Sequence, residues 1–221
     1  MQHSTVLFDL DGTLIDQFTA IHKSVNHVRN ELGLSPANYD TVKTAVGGSV
    51  SITLKRLFKD AELETTLPIF KEHFEKIMME DVFVLPGILP FLDHLKQQSV
   101  QIGVLTNKIG SHARATLDYL GISSYFKCIA GVGDTDFRKP DYKFTEYILD
   151  QMEADQSNTC LIGDSPFDWE TGIESDLVVY LVASGTHNVE KLKDDTESPY
   201  IYDDIFTLAR EHFDVDLKVY E

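Results

Sequence analysis

Five short apolar runs punctuate the chain, at residues 5–8, 100–105, 128–132, 159–162 and 177–182. Most are rich in Val, Ile, Leu or Phe, and none alternates cleanly with polar residues. Strands buried on both faces of a sheet read this way. Helix-like segments lie between the later runs, at 88–98, 111–120, 142–152 and 166–175. Such alternation predicts parallel strands joined by crossover helices.

The gap between the first two runs has a different period. Phe18, Ile21, Val25, Val28 and Leu32 recur at spacings of 3, 4, 3 and 4. That is one face of a helix, with Gly33 as its stop. Ser35-Pro36 reads as an N-cap followed by Pro at the first position of a second helix. Tyr39, Val42 and Val46 continue it to Gly47-Gly48. A third helix is expected near 49–59, and a fourth carries Leu67, Phe70, Phe74 and Ile77. Four helices without a strand exceed one crossover, so they form an insert directly after the first strand. Leu85-Pro86-Gly87 is a natural hinge for its return. The predicted fold class is α/β, a parallel-sheet core over residues 1–15 and 86–221 with a four-helix cap over residues 16–85.

Composition narrows the partners. With 221 residues and 43% hydrophobic content, a sizeable core is available. A net charge of −17 argues against nucleic acid, whose phosphates need surplus Lys and Arg, and against an anionic membrane surface. No run reaches the length of a membrane span. The opening shows no basic region followed by an apolar stretch, so a cytoplasmic location is expected. Cys128 and Cys160 are too few for a disulfide scaffold and read as buried free thiols. Residues 190–221 hold ten acids and four bases and read as a solvated face.

The candidate chemistry follows the apolar runs. Asp9-Leu10-Asp11-Gly12-Thr13 follows the first, Thr106-Asn107-Lys108 the second, and Gly163-Asp164-Ser165-Pro166-Phe167-Asp168 the fourth. A parallel sheet brings the carboxyl ends of its strands to one edge, where ligands bind. Lys139, ahead of the fourth run, can reach the same edge. Four converging carboxylates, Asp9, Asp11, Asp164 and Asp168, repel one another unless a cation is present. Oxygen-only ligands suit Mg2+, whereas the scattered histidines offer no zinc spacing. Lys139, Thr106 and the backbone N–H groups near Gly12 and Asn107 suit a phosphoryl dianion. A carboxylate that can approach phosphorus is a competent nucleophile, and a second one two residues on can serve as acid and then base. Gly131-Val132-Gly133 lacks the third glycine of a dinucleotide-binding turn.

At these residues the chain resembles the haloacid dehalogenase-like hydrolases, in particular the phosphoglycolate phosphatase-like branch with a helical cap. DLDGTLID opens the resemblance, and TNK, RKP and GDSPFD follow in the family's order, to about Ser184. The resemblance implies a Rossmann-like core and Mg2+-dependent hydrolysis of phosphate monoesters. It implies Asp9 as nucleophile, forming an aspartyl phosphate, and Asp11 as general acid and base. Thr106 and Asn107 would hold phosphoryl oxygens, and Lys139 would balance the charge. Mg2+ would be held by Asp9, Asp164 and the backbone carbonyl of Asp11, with Asp168 in support. One departure is Ser175-Asp176, where the branch commonly has Ala-Gly.

The cap is expected to choose the leaving group, with Gly47, Gly48 and Ser49 as the candidate specificity loop. Lys43, Lys55 and Arg56 are nearby candidates for a second anionic group on the substrate. The expected partner is a small phosphorylated metabolite, bound by a monomer or dimer. A sugar-phosphate mutase of the same fold would use the same aspartate pair. A phospho-receiver or interaction module is the remaining alternative, although a receiver has no use for a cap.

Overall fold

The computed structural model describes residues 3–59 and 61–218. Residues 1, 2 and 219–221 of the expected core and residue 60 of the expected cap lie outside the described residues. The chain opens with β1 (Thr5–Phe8) and a two-residue strand β2 (Ile15–Asp16). Four helices follow, α1 (Phe18–Glu31), α2 (Tyr39–Ala45), α3 (Val50–Leu57) and α4 (Leu63–Ile77). Strand β3 (Phe83–Val84) pairs antiparallel with β2. This ribbon, which the apolar pattern did not reveal, sits where the helical insert joins the rest of the chain.

Next come α5 (Ile88–Gln97), β4 (Gln101–Ile109), α6 (Gly110–Tyr119), β5 (Cys128–Val132) and α7 (Tyr142–Met152). The chain ends with β6 (Thr159–Gly163), α8 (Pro166–Ser175), β7 (Val178–Val182), α9 (Val189–Asp195), β8 (Ile201–Tyr202) and α10 (Ile205–His212). The main sheet has the order β5-β4-β1-β6-β7-β8, and every pairing in it is parallel. The first strand is therefore central. Later strands add outward on one side through β5 and on the other from β6, so the loops after β1, β4 and β6 meet at the switch in strand order.

Alternate side chains enter opposite layers. Val6 and Phe8 join one apolar cluster with Phe91, Val104 and Ile162, while Leu7 joins the other with Phe144, Met152 and Leu161. Coverage of both faces explains why the strands read as continuous apolar runs. The insert has its own cluster, which includes Phe18, Val25, Leu54, Phe70 and Phe74. Helix α1 ends as its sequence predicts: Gly33 is left-handed, its N–H bonds the Asn30 carbonyl, and the Leu34 N–H bonds the Arg29 carbonyl.

Three expectations change. The N-cap of α2 is Asn38, whose side chain accepts from the Thr41 N–H, and Ser35-Pro36 precedes the helix. The acidic stretch from residue 190 is not simply a solvated face, because Leu192, Ile205, Leu208, Ala209 and Phe213 are buried. Cys160 is buried, but Cys128 is only half-buried. At the departure from the family pattern, Asp176 adopts the left-handed cap that ends α8, at φ 49°. Among the described residues, no helix is long and apolar enough to cross a membrane.

Candidate active site

The loops after β1 and β6 and the C-terminal half of β4 deliver Asp9, Asp164 and Thr106 to one buried place. One carboxylate oxygen from each of Asp9, Asp164 and Asp168 lies within 4.8 Å of the others. Lys139 reaches into this group from the loop before α7. Its Nζ is 2.9 Å from Asp9 Oδ1 and 2.6 Å from Asp168 Oδ1. The contact to Asp9 is an ion pair without hydrogen-bond alignment, so the buried Asp9 Oδ1 has no directed partner.

Asp168 is already saturated. Its Oδ2 accepts from the N–H groups of Asp164 and Ser165 and from the Ser165 hydroxyl, while Oδ1 accepts from Lys139. It caps the start of α8 and orients Lys139 at the same time. Asp164 Oδ2 accepts from the N–H and hydroxyl of Thr186, and Oδ1 accepts nothing among the described residues. Asp164 Oδ1, which accepts nothing among the described residues, and Asp9 Oδ1, which has only the Lys139 ion pair, are thus the carboxylate oxygens that a hard divalent cation could take.

Electrostatics agree with that fit. Burial raises the Asp9 carboxyl above its ordinary value and raises Asp164 well above its own. Burial alone would lower Lys139, but the Asp168 and Asp9 carboxylates outweigh it and push the ammonium upward. Lys139 therefore stays charged, and the two aspartates gain most from an added cation.

Glycine is required where the loops touch. At Gly12 φ is +92°, and an added Cβ would stand 2.7 Å from Asp164 Oδ2 and 2.8 Å from Gly185 Cα. The Ser184 hydroxyl bonds the Gly12 carbonyl at 2.7 Å, so the loop after β7 locks the loop after β1. Thr13 is buried with an unpartnered hydroxyl.

The side chains of two predicted residues have partners that the sequence did not suggest. The side chain of Asn107 is occupied by Lys139: its amide donates to the Lys139 carbonyl at 3.0 Å and its oxygen accepts from the Lys139 N–H at 2.9 Å. It fixes the loop that carries the ammonium, which leaves the Thr106 hydroxyl, rather than the Asn107 amide, to meet an anion from β4. Asp11 stands outside the carboxylate cluster, with both oxygens bonded to Lys108 Nζ at 3.1 and 2.9 Å.

Above the cluster is a cavity of about 210 Å³. Gly47, Gly48 and Ser49 line its far wall with Phe70 and Phe74. Gly48 packs so closely on Phe167 that a Cβ would fall 2.7 Å from the ring. Lys43, Lys55 and Arg56 do not line the cavity. Lys43 lies over the Phe18 ring, and Arg56 bonds the Ala45 carbonyl. Lys71, Arg138 and His112 line it instead. Lys108 and Phe167, within the segments that follow the second and fourth runs, also line the cavity, and so does Thr186, which follows the fifth run and was not expected at the site.

Carboxylates and a buried ammonium at the strand ends of a Rossmann-like parallel sheet, under an apolar wall of helices, make an acidic centre of the kind that suits phosphoryl transfer. The chain belongs to the haloacid dehalogenase-like hydrolase family, whose model matches residues 6–182. It is 33% identical over 167 residues to a phosphoglycolate phosphatase of Agrobacterium fabrum, covering 72% of this chain and 71% of that one. It is 27% identical over 207 residues to pyrophosphatase PpaX of Oceanobacillus iheyensis, covering 93% and 94%. The crystal structure of a predicted phosphatase from Clostridium acetobutylicum shares the fold, with a TM-score of 0.88, 22% identity, and coverage of 97% and 100%.

Proposed function

We propose that the protein is a Mg2+-dependent phosphatase for a small phosphorylated metabolite, with Asp9 as its nucleophile. The observation that carries this reading is the buried Asp9 Oδ1, without a hydrogen bond and with only the Lys139 ammonium beside it, in the cavity that Asp164 and Thr106 also line. Asp9 and Asp164 would hold the cation, which neutralises carboxylate and phosphoryl charge when bound.

The residues then divide the work. An Asp9 oxygen attacks phosphorus and the ester P–O bond breaks. The leaving oxygen takes a proton from Asp11. Water next attacks the phosphorus of the aspartyl phosphate and gives a proton to Asp11, which regenerates the Asp9 carboxylate and releases inorganic phosphate. Thr106 and Lys139 hold the phosphoryl oxygens and their charge throughout. The helical insert, residues 16–85, acts as a cap that excludes water during phosphoryl transfer. The free thiols of Cys128 and Cys160 support a reducing compartment such as the cytoplasm.

Phosphoglycolate and pyrophosphate are the first substrates to try, from the names of the relatives. Both carry a second anionic group, which Lys71 and Arg138 in the cavity wall suit. The test is phosphate release with Mg2+ from a panel of these two, sugar phosphates and nucleoside monophosphates, beside an Asp9→Asn control. Release by the wild type and none by the control supports the reading. Isomerised sugar phosphate without free phosphate would move the protein to the mutases.

A further inference from the structure

Asp11 is held by a residue that the proposed chemistry leaves without a part. The Lys108 ammonium donates to both Asp11 oxygens and, at 2.5 Å, to Gln17 Oε1. Three acceptors use its three protons. The ammonium also lies 5.2 Å from the centre of the Phe74 ring in α4. The side chain of Lys108 is only 7% exposed and that of Asp11 15%, so water contributes little to this pairing.

Gln17 continues the line. Its Nε2 donates to the Met78 carbonyl at 2.5 Å and lies 3.5 Å from Thr116 Oγ1. Gln17 is the buried residue between β2 and α1, where the chain enters the insert. Met78 ends α4, just before the chain returns through β3. One series of hydrogen bonds therefore links the Asp11 carboxylate to both connections of the helical insert.

We propose that Lys108 is a positioning residue for Asp11, aiming its carboxylate at the leaving group, and that Gln17 ties this aim to the seating of the helical insert. This rests on the phosphatase reading with Asp11 as the proton donor. Without Lys108 the Asp11 side chain is free to turn about its own bonds, and nothing holds it beside the leaving oxygen. A proton donor in the wrong place forfeits the roughly 10²–10⁴-fold that general acid catalysis supplies.

Leaving groups separate positioning from structure. para-Nitrophenolate departs without a proton, whereas an alkoxide needs one. The kcat/KM value ends at the departure of the leaving group, so it excludes the later water step. The experiment compares wild type, Lys108→Met, Lys108→Arg and Gln17→Leu on para-nitrophenyl phosphate and on the alkyl phosphate of the panel that wild type cleaves fastest, phosphoglycolate being tried first. Lys108→Met is expected to lose about 10–100-fold more on the alkyl ester than on the aryl ester, within the range of a displaced acid. Lys108→Arg should restore most of that difference, and Gln17→Leu should show a smaller loss with the same selectivity. Equal losses on both esters, or no loss, would overturn the inference. Should Lys108→Met fail to fold, the Gln17→Leu ratio decides by the same criterion. A wild type that cleaves no alkyl phosphate contradicts the phosphatase reading itself, which is a different result from an unchanged ratio in an active enzyme.

Discussion

The side chain of Asn107 and the backbone of Lys139, 32 residues apart, exchange two hydrogen bonds of 3.0 and 2.9 Å. The C-terminal half of β4 thereby holds the loop that presents the buried ammonium. Asn107→Ala leaves a backbone N–H and a carbonyl without partners, at about 1–3 kcal/mol for each buried group. Asn107→Asp keeps the acceptor and loses the donor. Urea denaturation should rank stability as wild type, then Asn107→Asp, then Asn107→Ala, with kcat falling in step as Lys139 loosens. Unchanged stability in Asn107→Ala contradicts this assignment.

Gly48 links the insert to the catalytic loop. Its φ of +82° disfavours any side chain, and a Cβ would press on Phe167 and on Ile52 Cδ1 at 2.8 Å. The left-handed backbone alone makes Gly48→Ala unfavourable by about 1–2 kcal/mol. Phe167 follows Asp164 by three residues, so the strain falls on the wall facing the leaving group. Across the substrate panel, kcat/KM should change unevenly, while the Mg2+ concentration for half-maximal activity stays within a few-fold. A uniform loss for every substrate would remove Gly47, Gly48 and Ser49 from substrate selection.

Metal dependence should follow pH. Burial raises Asp9 and Asp164 above the ordinary carboxylate value, so folding favours their protonated forms. Their contribution to stability is complete below the ordinary carboxylate range and is lost as pH rises through the raised values. A bound cation needs both groups ionised and offsets that loss. The rise in thermal midpoint on adding saturating Mg2+ should therefore be larger at about pH 8 than at about pH 5. An equal rise at both would show that these two carboxylates do not hold the ion.

Much of this was legible in the chain because both faces of the sheet are covered. Continuous runs such as Val6-Leu7-Phe8 can only be buried strands here, and chemistry placed directly after them converges by topology. What escaped notice was short or local. The β2–β3 ribbon has two residues per strand, too few for any period. In the acidic C-terminal stretch, Leu208 and Phe213 are sparse among charges, yet both are buried. The direction in which a side chain points was the other blind spot. Sequence order brings Asn107 and Asp11 to the site but not their side-chain partners: Asn107 turns to the Lys139 backbone and the Asp11 carboxylate to Lys108.

The most direct measurement is mass spectrometry of the protein after rapid acid quench of its reaction with Mg2+ and the fastest substrate. The peptide carrying Asp9 is expected to gain the mass of one phosphoryl group in the wild type, and the Asp9→Asn chain should gain none. Turnover with no phosphorylated Asp9 at any quench time, or a phosphoryl group on another residue, would contradict the nucleophile assigned here.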